Sequence, residues 1–398
     1  MNQNAYKILQ RLHIVTIICT FSLMTIAREQ CSAFVQGHEA TYPDQVTENG
    51  LAALSGDKTE VNGLLRAMIV IPLESSLPQK IETRKHLVAS QHLQVYIREG
   101  QVYIKRFEIH LVDAELTPIG KRIGQFLALI WCEANKHFGS ESPALRHGVA
   151  HVWLTRQGEA GGEQIANQIY IYDVTGMRTD MEWAREITHE FGHYILPGAS
   201  GYTDPESWSN GIFGERLFLH WLRESVINKQ IDEKQLQFVT LDMLDEFELK
   251  QTGALLNRFR RTGPDHTLLG QNSKASLNSF TGLMISISET YGAPTIYRLL
   301  EFLRGIPSEA KGTTFLEAFE LWAGNQPVLN VSVPREGAKL YFPTGRFLLS
   351  GCEEKDIQLL ASTASVTLKS KLLTVSKPGW YTLTNATNHN LNLRFNRQ

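Results

Sequence analysis

His189-Glu190-Phe191-Gly192-His193 sets two imidazoles four residues apart with a carboxylate directly after the first. On a helical period of about 3.6 residues these rings lie one above the other, so both reach a single point beyond one helix face. The flanking residues support a helix there. Thr179-Asp180-Met181-Glu182 has capping-box spacing, with Thr179 as N-cap and Glu182 reaching back to it, and Pro197-Gly198 stops the helix. Between them Ala184, Ile187, Phe191 and Ile195 form an apolar stripe, while Glu182, Glu186, His189 and His193 share the opposite side. Two imidazoles on the polar side of a packed helix suit one Zn2+ ion, which lowers the pKa of bound water to about 7. Glu190 is then placed to hold that water as general base, so the stretch predicts metal-dependent hydrolysis.

The chain has 398 residues and a formal net charge of -2, enough for a full core and with no basic stripe that would suit nucleic acid. Lys7 and Arg11 precede the apolar run Ile14 to Ala27, which has signal-peptide length and is short for a bilayer span. Export is expected, with a signal peptide over residues 1–33 and no integral span after its cleavage at Ala27 or Ala33; an uncleaved anchor is the alternative. The location is then secreted or periplasmic. Cys19 and Cys31 fall within that segment, leaving Cys132 and Cys352. An oxidising compartment permits them to pair, although the apolar run around Cys132 favours a buried free thiol.

Residues 34–60 lack a period and read as a flexible lead-in. Strands are expected over Arg66 to Leu73, Leu93 to Arg98, Gln101 to Val112, Val149 to Thr155 and Gln168 to Asp173, the last two separated by a Gly-rich turn over Gly158 to Gly162. Pro118 opens a helix running to about His137. Helical patterns follow at about 206–228, 232–250, 276–291, 294–304 and 313–323. From residue 328 to 398 the period becomes that of strands, as in Lys339 to Phe342, Ser365 to Lys369, Trp380 to Leu383 and Leu391 to Phe395, with turn signals at Pro343-Thr344-Gly345 and Pro378-Gly379.

A catalytic zinc normally takes three protein ligands. The residues after His193, Tyr194 to Ala199, do not offer the glycine and third histidine of metzincins. With His-Glu-x-x-His followed by the tryptophan-led helix Ser207 to Phe218, and with Tyr291-Gly292 and Phe315 to Glu320 further on, the chain resembles the gluzincin metallopeptidases over about residues 145–325. The resemblance implies a zincin-like fold and a glutamate ligand on that second helix. Gly211 stands where that glutamate usually lies. Glu215, one turn later, is therefore the expected third ligand; Asp204 resembles the aspartate-ligand branch, and Glu206 or a site without a third protein ligand are further alternatives. The resemblance also implies a peptide carbonyl held against an edge strand, taken as Gln168 to Asp173. A donor to the developing oxyanion is expected among Tyr202, His220, His266, Tyr291 and Tyr297.

The fold expected is α+β: a zincin-like catalytic domain over 61–325, with a small sheet, the motif helix and a helical C-terminal part, then a small β-sandwich-like module over 328–398. The activity expected is zinc-dependent cleavage of a peptide or protein substrate, with His189, His193 and Glu215 on the metal and Glu190 as base. Two rival readings are a non-catalytic zincin-fold binding protein and a cell-surface protein acting through its β module.

Overall fold

The computed structural model describes residues 44–47, 56–61, 65–70, 87, 89–174, 176, 179–203, 205–304, 311–360 and 366–398. The expected signal segment, most of the lead-in and Asp204 lie outside them. Residues Pro43–Leu73 and Ala89–Gln398 form one compact unit, of mixed α and β structure.

The chain order begins β1 (Gln45–Thr47), β2 (Gly56–Val61), β3 (Leu65–Val70), β4 (Gln91–Glu99) and β5 (Val102–Leu111). The first two fall where a flexible lead-in was expected. They take strand form by pairing with partners: β6 (Ala150–Leu154) borders β5 only from Phe107 to Leu111, and β1 occupies the edge left at Val102–Ile104. Helix α1 (Thr117–Phe138), with Pro118 in its first turn, and the short α2 (Pro143–His147) form the crossover between the parallel strands β5 and β6. Strands β7 (Gly161–Ile165) and β8 (Gln168–Tyr172) complete a sheet ordered β2-β3-β4-β5-β6-β8-β7.

That order corrects the expected edge strand. Gln168–Tyr172 lies inside the sheet, parallel to β6, and among the described residues the outer strand is β7, from a stretch whose glycines had read as a turn. Strand alternation sends Leu93, Val95, Phe107, Ile109, Leu111, Val152, Leu154, Ile169 and Ile171 into one buried core with Ile123, Phe126, Leu127 and Ile130 of α1.

The helices that follow are α3 (Asp180–Ile195), α4 (Ser209–Ile227), α5 (Leu241–Phe247), α6 (Gly253–Thr262), α7 (His266–Leu269), α8 (Lys274–Tyr291), α9 (Ala293–Arg304) and α10 (Lys311–Asn325). The helix expected at 232–250 begins later, at Leu241, and continues through a π-helical stretch, Glu248–Thr252, into α6. The helix expected at 206–228 starts instead at Ser209. Trp208 is its N-cap in extended conformation and forms an isolated bridge with Ser200, which leaves Pro205–Ser207 as a loop.

Strands β9 (Val328–Val333), β10 (Ala338–Phe342), β11 (Gly345–Ser350), β12 (Ile357–Leu360), β13 (Val366–Lys369), β14 (Leu372–Val375), β15 (Gly379–Asn385) and β16 (Leu391–Arg397) form two sheets, β10-β15-β12 and β13-β14-β11-β16-β9. Alternating residues such as Leu340, Phe342, Phe347, Leu383, Leu393 and Phe395 are buried with them. Trp380 docks these strands on the helices, stacking on Phe319 and donating its indole N–H to Glu320 at 2.8 Å. Cys132, buried in α1, and Cys352 are both free thiols. Among the described residues, no helix is long and apolar enough to cross a membrane.

Candidate metal centre

Helix α3 is fixed at its start by a complete capping box. Glu182 N–H donates to Thr179 Oγ1 at 3.2 Å, and Thr179 N–H donates to Glu182 Oε2 at 2.8 Å. Such caps are worth about 1 kcal/mol. The apolar stripe Ala184, Ile187, Phe191 and Ile195 is buried, and Phe191 lies against Phe107 of the sheet. Burial of a side chain as large as phenylalanine contributes about 2–3 kcal/mol, so the rotation of the helix about its axis is strongly specified. His189 and His193 then project from the other side.

Helix α4 crosses α3 at glycine. A Cβ on Gly192 would meet Asn210 O at 2.6 Å and Gly214 Cα at 3.0 Å. The close crossing brings the first turn of α4 against the two imidazoles. There Gly211 faces the rings, and a Cβ at that position would stand 2.4 Å from His193 Nε2 and 2.5 Å from His189 Nε2.

The side chain that meets both rings is Glu206, from the loop before α4. Its Oε2 lies 3.0 Å from His189 Nε2 and 3.2 Å from His193 Nε2, and the two Nε2 atoms are 3.2 Å apart. Its other oxygen accepts the Ile212 backbone N–H at 3.1 Å, a donor in the first turn of α4. Zinc–ligand bonds of about 2.0–2.1 Å at tetrahedral angles place ligand atoms about 3.3–3.4 Å apart. The three donor atoms therefore match one face of a tetrahedron to within a few tenths of an ångström.

The surroundings suit metal ligation as well. Asn210 donates its amide to Leu196 O at 2.9 Å, which leaves Asn210 Oδ1 to accept the N–H of His193 Nδ1 at 2.9 Å. The Nε2 lone pair of His193 then points to the common centre. His189 is backed by Glu215, whose Oε2 lies 3.6 Å from Nδ1 and whose Oε1 accepts from Arg185 Nε at 2.7 Å. Glu215 is thus behind the imidazole, on the side away from Nε2. The structure places Glu215, the expected third ligand, on the Nδ1 side of His189, and groups the Glu206 carboxylate with the two histidines.

The charged groups of the cleft shift one another's pKa values. Burial works against a charged His189, yet hydrogen bonding to Glu206 and the nearby Glu215 raise its pKa well above the usual imidazole range. Burial likewise works against a charged Glu206, yet the two histidines hold its carboxyl below the usual range. Glu215 is also held low against burial, by His189, Arg216 and Arg185. A divalent ion can replace the proton shared by such groups. Burial pushes the Glu190 carboxyl up to about 7, a shift opposed by His189 and His193, and its Oε2 has no hydrogen-bond partner among the described residues.

Glu190 also touches the outer strand, since a Cβ on Gly162 of β7 would lie 2.5 Å from Glu190 Cγ. These groups open into a cleft of about 1190 Å³ bordered by Gly161 to Gln164, Trp208, Lys274, Asn278 and Arg304. None of the five expected oxyanion donors lines it. Tyr202 is buried against Phe280, Tyr291 bonds to the Tyr341 main chain, and His220 lies between Glu248 and Glu289. The donors that do line the cleft include Arg185, Arg216, Lys274 and Asn278. Nothing in the spacing distinguished Lys274 and Asn278, because α8, which carries them, reaches the cleft only through tertiary packing.

No family model matches the chain, and no curated protein is significantly similar to it.

Proposed function

We propose that this chain is an exported zinc-dependent peptidase of zincin-like architecture. The observation that carries the reading is the convergence of His189 Nε2, His193 Nε2 and Glu206 Oε2 at 3.0–3.2 Å, beside the buried Glu190, whose Oε2 has no hydrogen-bond partner among the described residues. His189, His193 and Glu206 would hold the ion, with Asn210 and Glu215 orienting the imidazoles. When bound, zinc supplies a Lewis acid that polarises a carbonyl and lowers the pKa of water to about 7.

Glu190 accepts a proton from the attacking water and returns it to the leaving amine. A carboxyl beside the ligand cluster is placed to take and return that proton. Strand β7 pairs with β8 on one side, and its glycines at the cleft let an extended peptide approach the backbone closely. Main-chain hydrogen bonds along that strand would select an extended polypeptide over a compact small molecule. The basic start and apolar run before residue 28 support export.

The test is metal analysis together with peptide-library cleavage followed by mass spectrometry. The full chain should carry zinc in the cleft and cleave peptides; Glu190→Gln should retain that zinc and lose turnover by about a hundredfold or more. Cleavage unchanged in that variant would assign the chemistry to another group. Absence of cleavage by the zinc-loaded chain across the library would reject peptidase action.

A further inference from the structure

We propose that the face of the main sheet turned away from α1 carries a second, buried site for a zinc-class divalent cation, ligated by His92, His110 and Glu108 and braced by His151. The site is independent of the cleft reading. In the β4–β5 pair His92 lies opposite His110 and Gln94 opposite Glu108; in the β5–β6 pair His151 lies beside Glu108. Their neighbours Leu93, Ile109 and Val152 point into the core with α1, so strand alternation turns all four of these side chains to the other face. Phe107 meets Phe191 of α3 from the core face. The sheet therefore stands between this cluster and the cleft.

His92 and His110 are buried, at 2% and 0% exposure. Strand positions buried on both faces are usually apolar, and polar groups placed there cost stability unless they are paired. Here they converge. His92 Nδ1 lies 2.7 Å from His110 Nδ1 and 3.8 Å from Glu108 Oε1, and the three donor atoms lie within 4.8 Å of one another. His110 Nε2 is 2.9 Å from His151 Nδ1, and the His110 ring stacks on Trp153 at 4.2 Å. With His110 Nδ1 facing the ion, its Nε2–H donates to His151, the arrangement that orients histidine ligands in known metal sites.

Burial lowers the pKa of all three histidines. Glu108, which faces Lys105 at 3.9 Å, supplies one negative charge. Two imidazoles and a carboxylate suit zinc and similar first-row ions and are a poor set for calcium or magnesium, which take oxygen ligands. Seating zinc requires the two Nδ1 atoms to separate by about half an ångström, to the ligand spacing of a tetrahedral site.

The experiment counts zinc by elemental analysis in the full chain and in His189→Ala/His193→Ala, which removes the cleft ligands. Two ions per wild-type chain and one in the double variant are expected, and that ion should raise Tm over EDTA-treated protein by about 3 °C or more. Adding His110→Phe, which keeps a ring against Trp153, should abolish it. Glu108→Gln, of equal size, should weaken it at least tenfold, which guards against misfolding of the phenylalanine variant. A double variant that binds no zinc overturns this site and leaves the cleft reading standing; the three histidines then form a neutral hydrogen-bonded chain. One ion in both proteins, lost with Glu108→Gln, supports this site and rejects metal binding in the cleft.

Discussion

Gly211→Ala tests the geometry of the cleft site with a single methyl group. The added Cβ would lie 2.4 Å from His193 Nε2 and 2.5 Å from His189 Nε2, where ordinary contact begins near 3.4 Å, so each ring must withdraw by about 1 Å. Zinc tolerates bond-length departures of about 0.2 Å, and displacing both imidazoles by several times that breaks the tetrahedral face. Zinc affinity is predicted to fall at least a hundredfold, about 2.7 kcal/mol. The metal-free protein should behave in the opposite sense. Both rings are partly exposed and can swing outward, while alanine is favoured over glycine in a helix by up to about 1 kcal/mol. Competition against a chromophoric chelator measures the first quantity, and urea unfolding in EDTA the second. An affinity within about threefold of wild type would refute the placement of the ion between these rings. By the same reasoning Gly211→Glu should fail to rescue a ligand-deficient variant, because its Cβ occupies the same space.

Glu206→Ala is predicted to lower zinc affinity more than Glu215→Ala, because the first removes a donor atom and the second a group behind His189; isothermal titration that reversed this order would return Glu215 to the metal. Glu215→Ala and Asn210→Ala should each cost about 10–100-fold in affinity, the range for groups that orient ligands, and an unchanged Kd in either would deny that role. His137, stacked on Trp221, has its pKa lowered from 6.5 to about 4, by burial first and then by Lys136 and His220. The unfolded chain therefore binds a proton that the folded chain refuses as pH falls from 6.5 to about 4. Stability should decline across that window by about 1–2 kcal/mol from this group, the discount reflecting its partly exposed ring. His137→Phe should flatten that part of the urea-midpoint profile, and an unaltered slope would place the acid sensitivity elsewhere.

The sequence by itself determined what is local. The Thr179–Glu182 box and the apolar stripe through Phe191 define α3, and i,i+4 spacing places His189 and His193 on one face, because helix period and capping depend on residues within a turn or two. Alternation likewise made the strands of residues 328–398 legible. Which carboxylate meets the two rings was not a local matter. Glu206 and Glu215 are both acidic residues near one helix start, and the choice depends on the extended N-cap at Trp208 and on the backbone contact of Gly192 with Gly214. Gly211 read as a missing ligand; in three dimensions it is the space that lets a loop carboxylate reach the rings. The outer strand was hidden for a similar reason, since glycines weaken strand propensity and β7 forms by pairing with β8. His92, Glu108, His110 and His151 carry no shared spacing. Only the register of three strands brings them together, because the proximity of residues on neighbouring strands is set by pairing across the sheet.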